Sequence, residues 1–276
     1  MTNIKSKYRK QNYSGQHLLH NKKIIEELLK QARISKNDTV LDLGAGKGAV
    51  TTYLDKKAGK VLAVENDPDY VEVLKEKGLT NTRIINQDIL QFHLPKEKFA
   101  VVANIPFSIT TPIMKMLMNR PANGFQRGVF IVEKGAAKRF TSSVVKDGYV
   151  VLWRMYFDIT YVRGISRMNF SPPPKVDGAI MQIKRKANPL IPLKDAQIFQ
   201  RLADYVLKYP RASVDDALRG VFTVPQIKHV KRNLGLKTDI PVAAMSEEQW
   251  AKIHESMVLH VPRFRWPKNR KKRKRY

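Results

Sequence analysis

The chain has no cysteine, few acidic side chains and no long uninterrupted apolar segment. A protein without cysteine has no disulfide framework, which is typical of a reducing compartment. No apolar run reaches the length of a transmembrane helix, and the basic amino terminus lacks the apolar region of a secretory signal. These absences predict a soluble protein of the cytoplasm with no membrane partner.

The shortage of acidic residues leaves a strongly basic chain. Of its 276 residues, 51 are Lys or Arg and 24 are Asp or Glu, which gives a formal net charge of +27. This excess favours a polyanionic partner such as RNA, with charge that serves only solubility as the alternative. Two segments are especially basic: residues 1–12, expected to be a mobile arm, and residues 268–276, expected to be a disordered tail that adds RNA affinity.

Motifs of other enzyme classes are missing as well. None of the six histidines falls in a metal-ligand spacing such as H-E-x-x-H, so we expect no metal. The G-x-S-x-G elbow of acyl-transfer enzymes is also missing from the sequence. Zinc-dependent and serine-dependent hydrolases are therefore not indicated.

The sequence does contain a glycine loop between a predicted buried strand and a helix. Residues 40–43 form the apolar strand, and Gly44, Gly46 and Gly48 follow it. A Walker loop does not fit, because it needs Ser or Thr after the lysine and Gly48 follows Lys47. A dinucleotide fingerprint fits poorly, because it needs the spacing G-x-G-x-x-G. The observed G-x-G-x-G spacing suits S-adenosylmethionine, with a plain strand-to-helix turn as the alternative.

Each of the next three predicted strands ends in a polar side chain. The strands and their closing residues are 60–65 with Glu65, 82–87 with Asp88 and Ile89, and 99–103 with Asn104. Glu65 lies 21 residues after Gly44, an offset at which an acid binds ribose hydroxyls. Asp88 is placed to accept from an adenine amine while Ile89 packs on the ring. Together these strand ends predict a ligand crevice at the carboxyl edge of a parallel sheet.

Asn104, Ile105, Pro106 and Phe107 meet the chemical needs of methylation at an adenine N6. The lone pair of that amine is delocalised into the ring, so a site must accept hydrogen bonds from both N–H groups to free it. The Asn104 side chain and the Ile105 carbonyl are the predicted acceptors, because Pro106 biases Ile105 to an extended conformation. Phe107 offers a face for an extruded base. The alternative is a strand-end turn with a core phenylalanine.

The first part of the chain alternates strands with helices, which predicts a parallel sheet covered on both faces. We expect a further strand at residues 126–132 and a long final pair of strands at 150–162 and 176–183. A loop with three successive prolines, residues 169–175, joins that pair.

From about residue 184 the pattern changes to helices only, and Thr223 and Ser246 each open a capping box. Four basic residues of this part are expected to face phosphate or simply solvent: Lys228, Lys231, Arg232 and Lys237. The predicted organisation is a basic arm at 1–12, an α/β domain at 13–185, a small all-helical domain at 186–267 and a basic tail at 268–276.

Four motifs carry a resemblance to a known family. They are Gly15-Gln16-His17-Leu18-Leu19, Gly44-Ala45-Gly46-Lys47-Gly48, Asn104-Ile105-Pro106-Phe107 and Phe170-Ser171-Pro172-Pro173-Pro174-Lys175-Val176-Asp177. They resemble the rRNA adenine N6-methyltransferases, and most of all the erythromycin-resistance (Erm) enzymes of 23S rRNA, over roughly residues 13–267. Lys47 and Ile105 favour Erm, because the small-subunit enzymes usually carry G-P-G-L-G and N-L-P-Y.

The resemblance implies a Rossmann-like methyltransferase domain that binds S-adenosylmethionine. The implied cofactor contacts are the backbone around His17 and Leu19 together with Gly44, Gly46, Glu65, Asp88, Ile89 and Asn104. Phe107 and Phe170 would sandwich the target adenine. The implied function is N6-methylation of an adenine in unpaired, structured 23S rRNA before full ribosome assembly, by a monomer, with resistance to macrolides, lincosamides and streptogramin B as the result.

Two alternatives stay open. One is methylation of small-subunit rRNA as an assembly step, and the other is a non-catalytic RNA-binding or transcription-factor protein on the same scaffold. A pure binding module needs neither the glycine loop nor the tetrapeptide 104–107, which argues against the second. The residues do not determine whether one or two methyl groups are added.

Overall fold

The structure, a computed structural model, describes residues 17–236 and 240–268, so the predicted arm, Lys237 and the tail beyond Lys268 lie outside it. The strands are β1 (Leu18–Leu19), β2 (Thr39–Leu43), β3 (Lys60–Glu65), β4 (Thr82–Asn86), β5 (Phe99–Asn104), β6 (Phe125–Glu133), β7 (Phe157–Ile165), β8 (Phe170–Ser171) and β9 (Gly178–Arg185). The α-helices are α1 (Lys22–Ala32), α2 (Thr51–Lys57), α3 (Pro68–Lys75), α4 (Thr110–Met118), α5 (Lys134–Thr141), α6 (Gly148–Tyr156), α7 (Ala196–Val206), α8 (Val214–Leu218), α9 (Val224–Asn233) and α10 (Glu247–His260). Within the described ranges, no helix is long and apolar enough to cross a membrane.

Seven strands form one sheet in the order β4-β3-β2-β5-β6-β9-β7. The first five strands in this order are parallel, whereas β9 is antiparallel to both β6 and β7. Alternate residues of the central strands enter two cores, with Leu41 and Val101 on one face and Val40 and Val102 on the other. Near-continuous apolar runs are typical of parallel strands that helices cover on both faces. The predicted α/β class is confirmed.

The strand order places the candidate crevice. From β2 the chain continues to β3 and β4 on one side and returns to β5 on the other. The carboxyl ends of β2 and β5 therefore flank the point where the winding direction changes. In open α/β sheets, ligands bind outside the carboxyl ends of the strands at such a point.

The predicted strand at residues 150–162 is wrong in its first half. Residues Gly148–Tyr156 form helix α6, and the strand begins only at Phe157. All residues of α6 except Tyr149 and Arg154 are buried, because the helix contacts α7, α10 and β7. A helix that is apolar all round has no period to distinguish it from a buried strand. The other strand of the predicted pair also begins later than expected, at Gly178.

Beyond Arg185 the described residues form helices and connecting turns. Both capping boxes are confirmed at Thr223 and Ser246. A small core of this part includes five buried residues: Val230, Leu234, Trp250, Ile253 and Met257. Because α6 contacts both α7 and α10, this core is continuous with that of the sheet. A division into two domains after residue 185 stays a prediction.

A short antiparallel pair, which the sequence did not predict, ties the start of the described chain to the proline loop. Leu18–Leu19 pairs with Phe170–Ser171. Next to it, Asn21 Nδ2 donates to Asn169 Oδ1 at 2.7 Å, while Asn21 also caps α1. These contacts hold Phe170 at the edge of the sheet where the crevice lies.

Candidate active site

The glycine loop follows β2 at the carboxyl edge of the sheet. Gly44 and Gly46 have φ angles of +83° and +54°, a left-handed region that other residues adopt only with strain. A Cβ at Gly46 would lie 2.8 Å from Leu18 Cδ2, so β1 covers the loop closely. The N–H groups of Gly44 and Ala45 donate to Val64 O at 2.9 and 3.1 Å. The loop is thus fixed between β1 and β3.

Glu65 closes β3 and is buried under the glycine loop. Its Oε2 accepts from the Gly46 N–H at 2.7 Å, and its Oε1 accepts from the N–H groups of Asn66 and Asp67, each at 2.9 Å. Since a carboxylate oxygen has two acceptor positions, Oε2 keeps one for a further donor. Contact with ribose hydroxyls stays a prediction, and the structure adds that Glu65 shapes the loop itself.

Asp42 is a buried carboxyl in β2 that sequence reasoning missed. It is 1% exposed, and its Oδ2 accepts from Thr51 Oγ1 at 2.6 Å, which joins the strand to the first residue of α2. Burial raises the pKa of Asp42 to about 7; the nearby charge of Glu65 acts in the same direction and the hydrogen bond from Thr51 opposes it. The sequence signal that could have identified Asp42 is an acidic residue inside an apolar strand that leads into a glycine loop.

Asp88 and Ile89 follow β4 and lie on the other side of the loop. Asp88 Oδ1 accepts from the Leu90 N–H at 2.9 Å and so caps a short 3-10 turn, while Ile89 is buried. A Cβ at Gly44 would lie 3.2 Å from Pro106 Cδ and 3.6 Å from Ile89 Cδ1. The structure therefore brings the glycine loop, the end of β4 and the tetrapeptide together at Gly44.

Asn104 ends β5 with its side-chain amide turned towards the start of the described chain. Its Nδ2 donates to His17 O at 3.0 Å, which sets the orientation of the amide. Its Oδ1 is buried and has no hydrogen-bond partner within the described residues. The next residue, Ile105, is buried and donates its N–H to Ile131 O at 3.2 Å. A buried acceptor without a donor costs about 1–3 kcal/mol, so this oxygen is where a ligand N–H is stabilising.

Phe107 is half-buried and lies directly beside the fully buried Phe170. Their ring centroids are 5.9 Å apart and their planes meet at 74°, so the rings pack edge to face. A base sandwiched between two rings needs parallel planes about 7 Å apart, twice an ordinary carbon contact distance. The expected sandwich is not present in this arrangement, because the rings fill the space by packing on each other, a geometry that aromatic pairs favour.

Gly178 is the second residue of the site that sequence reasoning missed. A Cβ at this position would lie 3.2 Å from Phe107 Cζ and 3.4 Å from Phe170 Cζ. The Gly178 backbone is paired on both sides, with Glu133 of β6 and Ile165 of β7. A fixed strand without a Cβ thus leaves the space that the two rings occupy.

His17 and Leu19 bring the chain start into the site in different ways. The His17 carbonyl accepts from Asn104, and the His17 Nδ1 lies 2.8 Å from Pro172 O, so His17 bridges the tetrapeptide and the proline loop. Leu19 is buried in the core with Phe170. The Leu19 side chain is thereby engaged, which leaves its backbone for the predicted cofactor contact.

The remaining predicted features lie apart from the crevice or form no cluster. Lys228 and Arg232 are exposed on α9, whereas Lys231 pairs with Asp215. Across residues 17–236 and 240–268, no three His, Cys, Asp or Glu side chains are grouped in a way that could hold a metal ion.

Comparison with known proteins identifies the family. The model of the family described as "Ribosomal RNA adenine dimethylase" matches residues 6–258. The chain belongs to this family. An "rRNA adenine N-6-methyltransferase" from Bacillus licheniformis is 54% identical over 95% of this chain and 92% of its own length. A "Ribosomal RNA small subunit methyltransferase A" from Staphylococcus haemolyticus is 30% identical over 75% of each chain.

Solved structures agree with the family assignment. The crystal structure of the 23S rRNA methyltransferase ErmE matches with a TM-score of 0.77 and 25% identity, covering 87% of this chain and 99% of ErmE. A dimethyladenosine transferase from Plasmodium falciparum shares the fold, with a TM-score of 0.67. This adenine dimethylase family member is therefore an S-adenosylmethionine-dependent enzyme that methylates rRNA adenine at N6. The predicted Rossmann-like fold and Erm-like relationship are confirmed.

Proposed function

We propose that the enzyme methylates one specific adenine of 23S rRNA and thereby confers resistance to macrolides, lincosamides and streptogramin B. The observation that carries the chemistry is the buried Asn104 Oδ1, an acceptor with no partner among the described residues. The choice of 23S rRNA is supported by the likeness to ErmE and by the lower identity to the small-subunit enzyme, 30% against 54% for the rRNA adenine N-6-methyltransferase. Lys47 and Ile105 point the same way.

The residues around the glycine loop fit S-adenosylmethionine. The loop is held against Glu65, whose Oε2 accepts from the Gly46 N–H and keeps a second acceptor position for a ligand donor. When bound, S-adenosylmethionine supplies an electrophilic methyl group on a sulfonium. The residues proposed to hold it are the backbone at His17 and Leu19 with Gly44, Gly46, Glu65, Asp88, Ile89 and Asn104.

Asn104 and Ile105 activate the target amine in this proposal. The Asn104 Oδ1 accepts from one N–H of the adenine amine, and the Ile105 carbonyl accepts from the other. Both hydrogen bonds draw the nitrogen towards a tetrahedral geometry, which localises its lone pair for attack on the methyl group. The bond between the methyl carbon and the sulfonium sulfur would break as the C–N bond forms, so S-adenosylhomocysteine would be the second product. The amine nitrogen then carries a positive charge, and Asn104 Oδ1 keeps its hydrogen bond to an amine proton until water removes a proton.

Phe107 is proposed to stack on the extruded adenine. It is half-buried, so part of its ring is accessible, whereas Phe170 is 1% exposed. Phe170 reaches the second face of the base only when the loop 169–175 shifts and the centroid separation of 5.9 Å increases. Base–aromatic stacking is worth about 1–3 kcal/mol per base, which offsets part of the cost of extrusion.

The substrate is proposed to be an unpaired, structured region of 23S rRNA, methylated before full ribosome assembly. Extrusion costs least from a loop or junction, where a base has few stacking partners to lose. The net charge of +27 favours such a polyanion. Because the proposed substrate is rRNA, we propose that the enzyme acts in the cytoplasm. We also propose that it acts as a monomer.

The experiment that tests the proposal uses labelled S-adenosylmethionine with protein-free large-subunit and small-subunit rRNA, followed by nucleoside analysis. We expect label in N6-methylated adenosine from the large-subunit RNA alone, and the ratio of mono- to dimethyladenosine establishes the product. Label in the small-subunit RNA would assign the enzyme to ribosome assembly, the function named for the Staphylococcus haemolyticus relative. Tight RNA binding without label in either RNA would favour a non-catalytic binding protein.

A further inference from the structure

A short turn directly before Phe170 presents an exposed methionine at the rim of the candidate site. Residues Arg167–Asn169 form a 3-10 turn that leads into β8. Phe170 is 1% exposed, whereas Met168, two residues earlier, is 66% exposed. The buried Phe170 and the exposed Met168 therefore lie on one short segment, and the Met168 side chain is not packed in a core.

The turn is held rigidly by hydrogen bonds on its inner side. Ser166 Oγ accepts from the Met168 N–H at 3.3 Å, and Ser166 O accepts from the Asn169 N–H at 3.1 Å and from Asn169 Nδ2 at 2.9 Å. Asn169 is held in turn by Asn21, which donates to its Oδ1 at 2.7 Å. Met168 is thus not the tip of a loosely attached loop.

A second set of contacts ties the same turn to the sheet. Asp177 Oδ1 accepts from the Arg167 N–H at 3.1 Å, and Asp177 Oδ2 accepts from Lys134 Nζ at 3.3 Å. The Arg167 N–H and then the Lys134 bond hold the pKa of Asp177 below its usual range, so the carboxylate stays charged. Lys134 opens α5 directly after β6, which places the turn at the carboxyl edge of the sheet.

Cationic side chains flank the exposed methionine. Arg167 and Lys175 are both exposed, and Arg167 Nη1 lies 3.4 Å from Lys175 O, which keeps the two residues together. Val176, next to Lys175, is 47% exposed. An exposed apolar side chain next to a cation suits a nucleic acid, which offers phosphates to the charge and base faces to the apolar side chain.

We propose that Met168 enters the base stack of the target RNA and fills the gap that the extruded adenine leaves. This inference rests on the proposed methylation of an rRNA adenine. A flipped nucleotide rotates about its backbone, so the gap stays next to the pocket that receives the base. Two residues span at most about 7 Å, and less in a turn, so Met168 lies within about two base-stacking distances of a base beside Phe170. Apolar side chains inserted between bases are an established way to hold a stack open.

The test compares three full-length variants with the wild-type enzyme on protein-free large-subunit rRNA. Met168→Ala removes the proposed insert, Met168→Leu keeps its apolar bulk, and Leu259→Ala is the matched control, because Leu259 of α10 is also 66% exposed. Single-turnover methyl transfer and equilibrium RNA binding are measured for each variant. Both replaced side chains, Met168 and Leu259, are exposed, so thermal denaturation is expected to show that all three variants are folded.

We expect Met168→Ala to lower the single-turnover rate about tenfold, near the lower end of the loss that follows removal of an aromatic base-stacking side chain. Its RNA Kd is expected to stay within about threefold of wild type, because phosphate contacts dominate RNA affinity. Met168→Leu and Leu259→Ala are expected to retain the wild-type rate. With 2-aminopurine in place of the methylated adenine, Met168→Ala should also show a smaller fluorescence increase on binding.

The outcomes separate this inference from the proposed function. A wild-type rate for Met168→Ala, or weaker RNA binding with an unchanged rate, would overturn the stack insertion while leaving the methyltransferase assignment intact. If the wild-type enzyme labels only small-subunit rRNA, the same variants are compared on that RNA and the same criteria apply. If neither RNA accepts a methyl group, the proposed function and this inference fall together.

Discussion

Replacing Asn104 by alanine removes one of the two proposed acceptors for the target amine. The lost group is the buried Oδ1 that has no partner within the described residues. Removal of one preorganised hydrogen-bonding group from a reaction site costs about 10²–10³ in kcat. We therefore expect single-turnover methyl transfer to fall at least about a hundredfold, while the RNA Kd stays nearly unchanged because affinity comes from phosphate contacts.

The same replacement also affects the stability of the fold. The Asn104 Nδ2 no longer donates to the His17 carbonyl, a bond of 3.0 Å. A buried group left unpaired costs about 1–3 kcal/mol, and each 1 kcal/mol lowers Tm by about 2–4 °C in a chain of this size. Because the replacement also removes the unpaired Oδ1, whose burial carries a cost of similar size, the fall in Tm should not exceed roughly 12 °C. The assay temperature has to lie well below the lowered Tm of the variant.

Asn119→Ala provides a matched control for the loss of stability. Asn119 Oδ1 accepts from the indole Nε1 of the buried Trp153 at 2.8 Å, and its loss also leaves one buried group unpaired. The control removes no unpaired acceptor, so it should lose at least as much Tm as Asn104→Ala and keep its turnover. Turnover of Asn104→Ala within about threefold of wild type, far from the loss expected for a reaction-site group, would refute the reasoning. Equal loss in both variants would assign the effect to stability alone.

Three further predictions follow from buried positions and from the basic tail. Gly178→Ala places a Cβ 3.2 Å from Phe107 Cζ on a strand paired on both sides. The displaced ring should lower the transfer rate about three- to tenfold, and an unchanged rate would contradict the role of Gly178. Asp42 has a folded pKa of about 7 against a usual 3.8, so its contribution to stability should fall as pH rises between these values and level off above them. The always neutral Asp42→Asn lacks this loss, so its Tm advantage should grow from pH 4 to pH 7; a constant difference would contradict it. Deleting residues 268–276 should weaken RNA binding and flatten its salt dependence without changing S-adenosylmethionine affinity, and equal methylation at limiting RNA would count against this.

The central strands could be predicted because their sequence signal is local. β2, β3 and β5 are short apolar runs bounded by glycine or polar residues, and the structure places each within one or two residues of the expected range. α6 could not be told from a strand, since burial on all sides removes the helical period. The β1–β8 pair has only two residues per strand and joins segments about 150 residues apart, so no local sequence pattern predicts it.

The residues of the candidate site also fall into two groups, those in contiguous motifs and those that depend on contacts between distant segments. The glycine loop and the tetrapeptide 104–107 were identified because each is a contiguous motif, and the structure brings both to Gly44. Gly178 depends on a contact between β9 and Phe107 across the sheet edge, which no local spacing encodes. The edge-to-face packing of Phe107 on Phe170 likewise depends on the position of a loop that β1 holds.

β1 contacts both halves of the crevice, which links the cofactor loop to the base pocket. Leu18 lies against Gly46 of the glycine loop, while the His17 carbonyl orients the Asn104 amide. The strand is also paired with β8, which carries Phe170. A shift of Phe170 large enough to admit a base therefore pulls on the segment that covers the glycine loop and orients Asn104. Because these contacts share the three residues 17–19, the position of the base, the orientation of its acceptor and the cover of the cofactor loop are set together.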